Sequence, residues 1–196
     1  MIAGHFGFAA AVKSRERQVR LWALMLACVW LDIVFVPLFA AHVETITTAA
    51  GTNGGYGSAI IHADYTHSLV GALLLSALFG LVAAFRWTQR TALVLAAVVF
   101  SHWVLDLVVH RADLPVLINN AGNLPRFGFG LWRHPVAAML TELMIVVGGA
   151  LLYWRAARES VATGGASLRK RAQLSGLLVL ASGLTVPALD FTGILE

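Results

Sequence analysis

The 196-residue chain predicts an all-α integral membrane protein: one domain, residues 1–196, forming a bundle of five full transmembrane helices plus a short N-terminal half-span helix. Composition is the first reason. Hydrophobic residues make up 59% and charged residues 12%, and the mean hydropathy of +0.78 exceeds what a soluble globule with a polar surface carries. The second reason is a set of five apolar runs near the roughly 20 residues that a helix needs to cross a hydrocarbon core. The third is the one-sided placement of Lys and Arg around those runs. Such a composition excludes a cytosolic enzyme, a disordered tail and a secreted disulfide scaffold. The one cysteine, Cys28, lies inside an apolar run and has no intrachain partner.

The elements follow in order. Residues 2–12 are apolar but only half a span long, and predict a short helix that enters the membrane or lies at its interface. The basic cluster Lys13, Arg15, Arg17 and Arg20 follows this stretch instead of preceding it, so no cleavable leader is expected. Full spans are predicted over 21–41, 67–85, 92–110, 135–154 and 173–193, with long loops over 42–66 and 111–134. The first loop carries the flexible stretch GTNGGYGS; the second carries Pro115, Pro125 and the run RFGFGLW, whose aromatics suit a membrane interface. Small residues such as Gly71, Gly80 and Gly148 permit close helix packing.

Basic residues set the orientation. Lys13, Arg15, Arg17, Arg20, Arg86, Arg90, Arg155, Arg158, Arg169, Lys170 and Arg171 fall on one side, against Arg111, Arg126 and Arg133 on the other. The richer side is expected to be cytoplasmic, which places the chain in a bacterial inner membrane with its two long loops outside. It also explains the pI near 9.8 without nucleic acid.

A charge at the bilayer centre costs about 2.5–3.5 kcal/mol on lenient insertion scales, so each acid within a span asks for a reason. Asp32, Asp106, Glu142 and Asp190 are four such acids, and all fall in the outer halves of their predicted helices. His67, His102 and His110 lie at the same depth. His102, Asp106 and His110 are four residues apart, drift only about 40° per step and share one helix face. The stretch HADYTHS sets His62, Asp64 and His67 at the same mouth, and Pro37 and Pro187 each lie near an acid, where a proline kinks a helix. For Asp190 and His42 a cap or snorkelling residue is the simpler account, and for Glu142 an interhelical hydrogen bond competes. Packing gives no such account of Asp32, His67, His102 and Asp106 together. Imidazole beside carboxylate suits zinc, iron, manganese or nickel, and the lack of a cysteine cluster argues against structural zinc or iron–sulfur. No HExxH, GxSxG, Walker loop or Rossmann glycine pattern occurs.

Gly4-His5, Leu31-Asp32-Ile33, His62-Ala63-Asp64-Tyr65-Thr66-His67-Ser68 and Ser101-His102-Trp103-Val104-Leu105-Asp106 together resemble the membrane-bound, metal-dependent hydrolase family of LexA-regulated inner-membrane proteins. The similarity covers roughly residues 1–115. It implies His5, Asp32, His62, His67, His102 and Asp106 as metal ligands, and a first helix that reaches the same side as the others. Val34, Ala63-Asp64 and Val109-His110 depart from the family pattern, where Asp, Arg-Gly and Thr-Pro stand; Asp64 and His110 replace lost ligands, or the metal number differs.

The expected function is a metal-dependent hydrolase with a divalent ion, zinc first and iron or manganese as alternatives. Asp32, His67, His102 and Asp106 form its core, and the ion activates a water. Glu142 or Asp64 serves as general base, and His110 or Arg111 stabilises developing charge. The substrate is an amphiphilic or lipid ester or phosphoester, met at the membrane lipid bilayer. The rivals are a cation- or proton-coupled transporter and a non-catalytic metal- or haem-binding protein. Oligomeric state is not legible in the sequence.

Overall fold

The structure, a computed structural model, describes residues 1–50 and 56–161. The described chain is mostly helical, in the order α1 (Ile2–Arg15), α2 (Leu21–Cys28), α3 (Trp30–Ala40), β1 (Thr45–Thr48), β2 (Ala59–His62), α4 (Leu69–Ala84), α5 (Gln89–Val109) and α6 (Pro135–Val161). Among the described residues, two helices are long and apolar enough to cross a membrane: α5, and α6 over Pro135–Glu159. A third crossing requires α2 and α3 to count as one span bent by 46°.

Among the described residues the expectation of five full spans is met in part, by α5 and α6. Residues 21–41 form no straight helix, because the chain breaks at Val29 (φ −117, ψ 14) between α2 and α3. The bend expected at Pro37 falls there instead, and α3 continues through Pro37. The run 67–85 gives a helix of only 16 residues, about 24 Å at 1.5 Å per residue and short of a core of about 30 Å. It is short because Ser68 caps it, with Oγ accepting from the Gly71 N–H at 3.0 Å. Two further first-turn amides, of Leu69 and Val70, donate to the carbonyls of Pro115 and Val116 in the second long loop. The fifth predicted span, 173–193 with Asp190, lies outside the described residues.

The N-terminal half-span is a 14-residue helix that runs past residue 12 to Arg15. Lys13 and Arg15 suit its C-terminal dipole, and Lys13 Nζ closes the following turn on the carbonyls of Arg17 and Val19, both at 2.7 Å. Ala3, Gly4, His5, Gly7, Ala9 and Ala10 are buried, so α1 lies inside the bundle. Its approach to α6 is backbone on backbone: a Cβ on Gly149 would stand 1.9 Å from the Gly7 carbonyl oxygen. Gly148, expected to permit close packing, has nothing within 4 Å of its Cβ position, so the neighbouring glycine makes the contact. Gly80 does serve as expected, against the Ala96 methyl of α5 at 2.9 Å.

The described parts of the loop over 42–66 include two short strands. β1 and β2 pair antiparallel, Thr45 opposite His62 and Thr48 opposite Ala59. The loop over 111–134 folds back on itself through a bridge between Leu114 and Phe127. Arg126 clamps the two loops together, donating to Asp64 Oδ1 at 2.6 Å and Oδ2 at 2.8 Å. Those bonds hold the guanidinium pKa above its ordinary value.

Candidate metal centre

Three helices and the segment that leads into α4 deliver side chains to one point. Asp32 comes from the first turn of α3, His67 from the residue before the α4 cap, and His102 and Asp106 from one face of α5. His67 Nε2 lies 3.3 Å from His102 Nε2. Asp32 Oδ1 lies 3.5 Å from each of these nitrogens. Asp106 Oδ2 lies 3.0 Å from His102 Nε2 and 3.7 Å from His67 Nε2. A tetrahedral cation with ligand bonds of about 2.0–2.2 Å sets its donors about 3.3–3.6 Å apart. These five separations, 3.0–3.7 Å, lie near the spacing that such an ion imposes, and two overlapping triads, Asp32–His67–His102 and His5–His102–Asp106, each bring their donor atoms close enough to hold a cation.

The protonation of the rings follows from their second partners. His102 Nδ1 is 2.8 Å from the Cys28 carbonyl oxygen, which only accepts, so Nδ1 carries the proton and the Nε2 lone pair faces the cluster. The break at Val29 immediately follows that carbonyl, so the bend between α2 and α3 lies where the chain meets His102. His67 Nδ1 is 2.8 Å from Thr66 Oγ1. The Thr66 hydroxyl is 2.9 Å from Glu44 Oε2, and Glu44 also accepts the backbone N–H of Tyr65 at 2.8 Å and of Thr66 at 2.9 Å. The Thr66 proton therefore goes to the carboxylate, its oxygen accepts from His67 Nδ1–H, and His67 Nε2 also presents a lone pair. With both rings neutral, two lone pairs and two carboxylates meet with no donor among the four. Such a set calls for a cation, and a carboxylate or carbonyl behind each histidine is the usual arrangement around bound metal.

Two further histidines flank Asp106. His110 Nε2 lies 3.7 Å from Asp106 Oδ2, while its Nδ1 bonds Asp113 Oδ1 at 3.0 Å. His5 Nε2 bonds Asp106 Oδ1 at 3.1 Å, and its ring stacks on His102 with centroids 3.8 Å apart. Its Nδ1 is buried without a hydrogen-bond partner among the described residues. His5, expected as a ligand, forms with His102 and Asp106 a second buried triad whose donor atoms are close enough to hold a cation; without one, its Nε2–H donates to Asp106 Oδ1.

The other expected site residues lie elsewhere. His62 is exposed at the end of β2, with Thr47 Oγ1 at 3.3 Å. Asp64 is taken by Arg126. Glu142 is buried on α6 and accepts the Gly4 N–H at 3.0 Å and the Tyr56 hydroxyl at 2.6 Å, tying α6 to the start of α1 and to the first loop. It therefore holds His5 in place from one residue away. Arg111 donates to the Gly57 carbonyl at 3.1 Å. Glu44 and Asp113, both buried, were absent from the expected set; as loop acids they carry no membrane cost that would single them out in sequence.

Two outcomes follow. Glu44→Ala removes the group that orients Thr66 and His67 and is expected to weaken metal binding about 10- to 100-fold, the usual effect of losing such a partner, measured by competition with a chromogenic chelator. Tyr56→Phe leaves Glu142 with one donor fewer and is expected to cost about 1.5–3 kcal/mol, the range for a hydrogen bond to a charged group, read from thermal unfolding in detergent.

Compared with protein-family models, with curated proteins and with solved structures, the chain matches none.

Proposed function

We propose that the protein is a metal-dependent hydrolase of the bacterial inner membrane, its cation held by Asp32, His67, His102 and Asp106 near the outer face. The observation that carries the reading is the cage of four donors at cation spacing, with lone pairs turned inward by Cys28, Thr66 and Glu44. The placement of Lys and Arg supports the orientation, and the resemblance of residues 1–115 to metal-dependent membrane hydrolases supports the reaction class. Zinc fits the donor types and spacing best, with manganese and iron next.

When bound, the divalent cation supplies Lewis-acid polarisation of the ester oxygen and activation of water near neutral pH. Hydrolysis joins the water oxygen to the acyl carbon or phosphorus, breaks the bond to the alkoxy oxygen, and moves a proton from water to that leaving oxygen. His110 stands beside the cage with its Nδ1 proton held on Asp113, so its Nε2, 3.7 Å from Asp106 Oδ2, is a proton acceptor outside the four ligands. His5 holds Asp106 from the opposite oxygen. Asp32 is the cage member open to its surroundings, with 37% of its side chain exposed against 4% or less for the other three. The substrate, an amphiphilic ester or phosphoester, meets the cage at that corner.

The test is elemental analysis of detergent-purified protein expressed with zinc, iron and manganese, beside hydrolysis of lipid esters and phosphoesters. About one divalent cation per chain is expected, with turnover lost to chelator and restored by metal. Absence of stoichiometric metal overturns the reading. Bound metal without turnover of any lipid ester or phosphoester leaves a binding protein, and metal or proton flux in proteoliposomes abolished by Asp32→Asn identifies a transporter.

A further inference from the structure

We infer that the site is entered sideways from the bilayer, beside Asp32, by a membrane phospholipid whose phosphodiester reaches the cage; this rests on the hydrolase reading. Three observations converge on it. The first is closure toward the loops. Glu44 and Thr66 are buried behind His67, and the Trp132 ring covers His110 with centroids 4.4 Å apart.

The second is the surface around Asp32, the most exposed of the four ligands. Asp32 and Val36 are four residues apart on α3, hence only about 40° apart around the helix. Val36 is 61% exposed, and Ile33 and Phe39 on the same helix are exposed as well. The open side of the cage is thus flanked by apolar side chains of α3, a surface that suits lipid contact more than water.

The third is depth. His67 lies two residues before α4 begins, and Asp106 three residues before α5 ends. At 1.5 Å per residue the cage sits about 5 Å or less from those helix ends, at the boundary where the polar headgroup layer adjoins the hydrocarbon core. A phospholipid in the adjoining leaflet carries its phosphodiester near that level, and its chains run from there toward the bilayer centre, past the α2–α3 break and away from Val36 and Phe39, which lie on the loop side of Asp32. Phosphoryl oxygen is also a ligand that a hard or borderline divalent cation accepts.

The experiment uses full-length protein loaded with Mn2+ and reads the 31P hyperfine coupling of the bound ion by electron–nuclear double resonance. In phosphatidylglycerol nanodiscs a coupling from directly bound phosphate is expected, and none in phosphate-free maltoside. Val36→Trp, which fills the side opening, is expected to abolish the coupling while the bound Mn2+ remains; Leu140→Trp, on the exposed surface of α6, leaves it intact. An equal coupling from soluble glycerophosphate in maltoside, indifferent to Val36→Trp, overturns bilayer entry. Bound Mn2+ with no 31P coupling in nanodiscs overturns the phospholipid, and means that another occupant covers the α3 face. Failure to bind Mn2+, zinc or iron at all overturns the hydrolase reading itself, a result distinct from the other two.

Discussion

His102→Ala is expected to abolish stoichiometric metal, while His62→Ala leaves metal content unchanged. Both residues were expected ligands, His102 in the core of the site and His62 through the family resemblance, and the structure separates them. His102 Nε2 is the hub of the cage, within 3.5 Å of His67, Asp32 and Asp106. Its removal takes away one of four donors and leaves the other three around a void. It also frees the Cys28 carbonyl, which costs about 1–3 kcal/mol when a buried acceptor is left unpaired. Loss of one supporting group behind a ligand costs 10- to 100-fold in affinity, and loss of the ligand costs more, so a fall of roughly 1,000-fold is expected. His62 touches Thr47 at the exposed end of β2, and nothing in the cage depends on it. The measurement is metal per chain by elemental analysis, with size-exclusion elution confirming that each variant is folded. Equal metal loss in the two variants would refute the cage as drawn. Retention of full metal by His102→Ala would refute it more directly.

The contrast also shows which signals in the sequence were physical. His102, Asp106 and His110 were legible because helical geometry puts residues four apart on one face, and a charge within a membrane span has few other uses. Asp32 was legible for the second reason alone. Glu44 and Asp113 escaped because an acid in a water-facing loop looks ordinary; their burial arises only when the loop over 111–134 folds against the hairpin and the start of α4. His62 and Asp64 misled in the opposite way. Neighbours of His67 in sequence, they are carried off by the hairpin and by Arg126. The fold divides along similar lines. Apolar runs marked where helices lie, but hydropathy does not see a break at Val29 or a serine cap that shortens α4. Pro37 was the visible helix-breaker; yet the bend lies eight residues earlier, where the Cys28 carbonyl meets His102.

Gly149→Ala is expected to destabilise the protein by about 3 kcal/mol or more and to weaken metal binding, whereas Gly148→Ala next to it is nearly silent. An added methyl at Gly149 would meet the Gly7 carbonyl oxygen at 1.9 Å, against an ordinary contact of 3.4–4 Å. The obstacle is backbone, so no side chain can rotate away; α1 must withdraw from α6 by roughly 1.5 Å, forfeiting dispersion along the whole contact. Overpacking of a close-packed interface costs about 1–3 kcal/mol and occasionally more, and the lack of any flexible neighbour puts this site at the upper end. The displacement is transmitted to chemistry because α1 carries the Gly4 N–H that Glu142 accepts and the His5 ring that bonds Asp106. Both lie within three residues of Gly7. A shift of that size breaks a hydrogen bond of 3.1 Å and leaves Asp106 Oδ1 without its donor. At Gly148 the same methyl meets nothing within 4 Å, and the helix gains the alanine preference of up to about 1 kcal/mol. Thermal unfolding in one detergent, with metal content measured on the same samples, reads both effects. Matching unfolding temperatures for the two variants would show that α1 does not lie against α6 as described. A stable Gly149→Ala protein with full metal would show that His5 is dispensable to the cage.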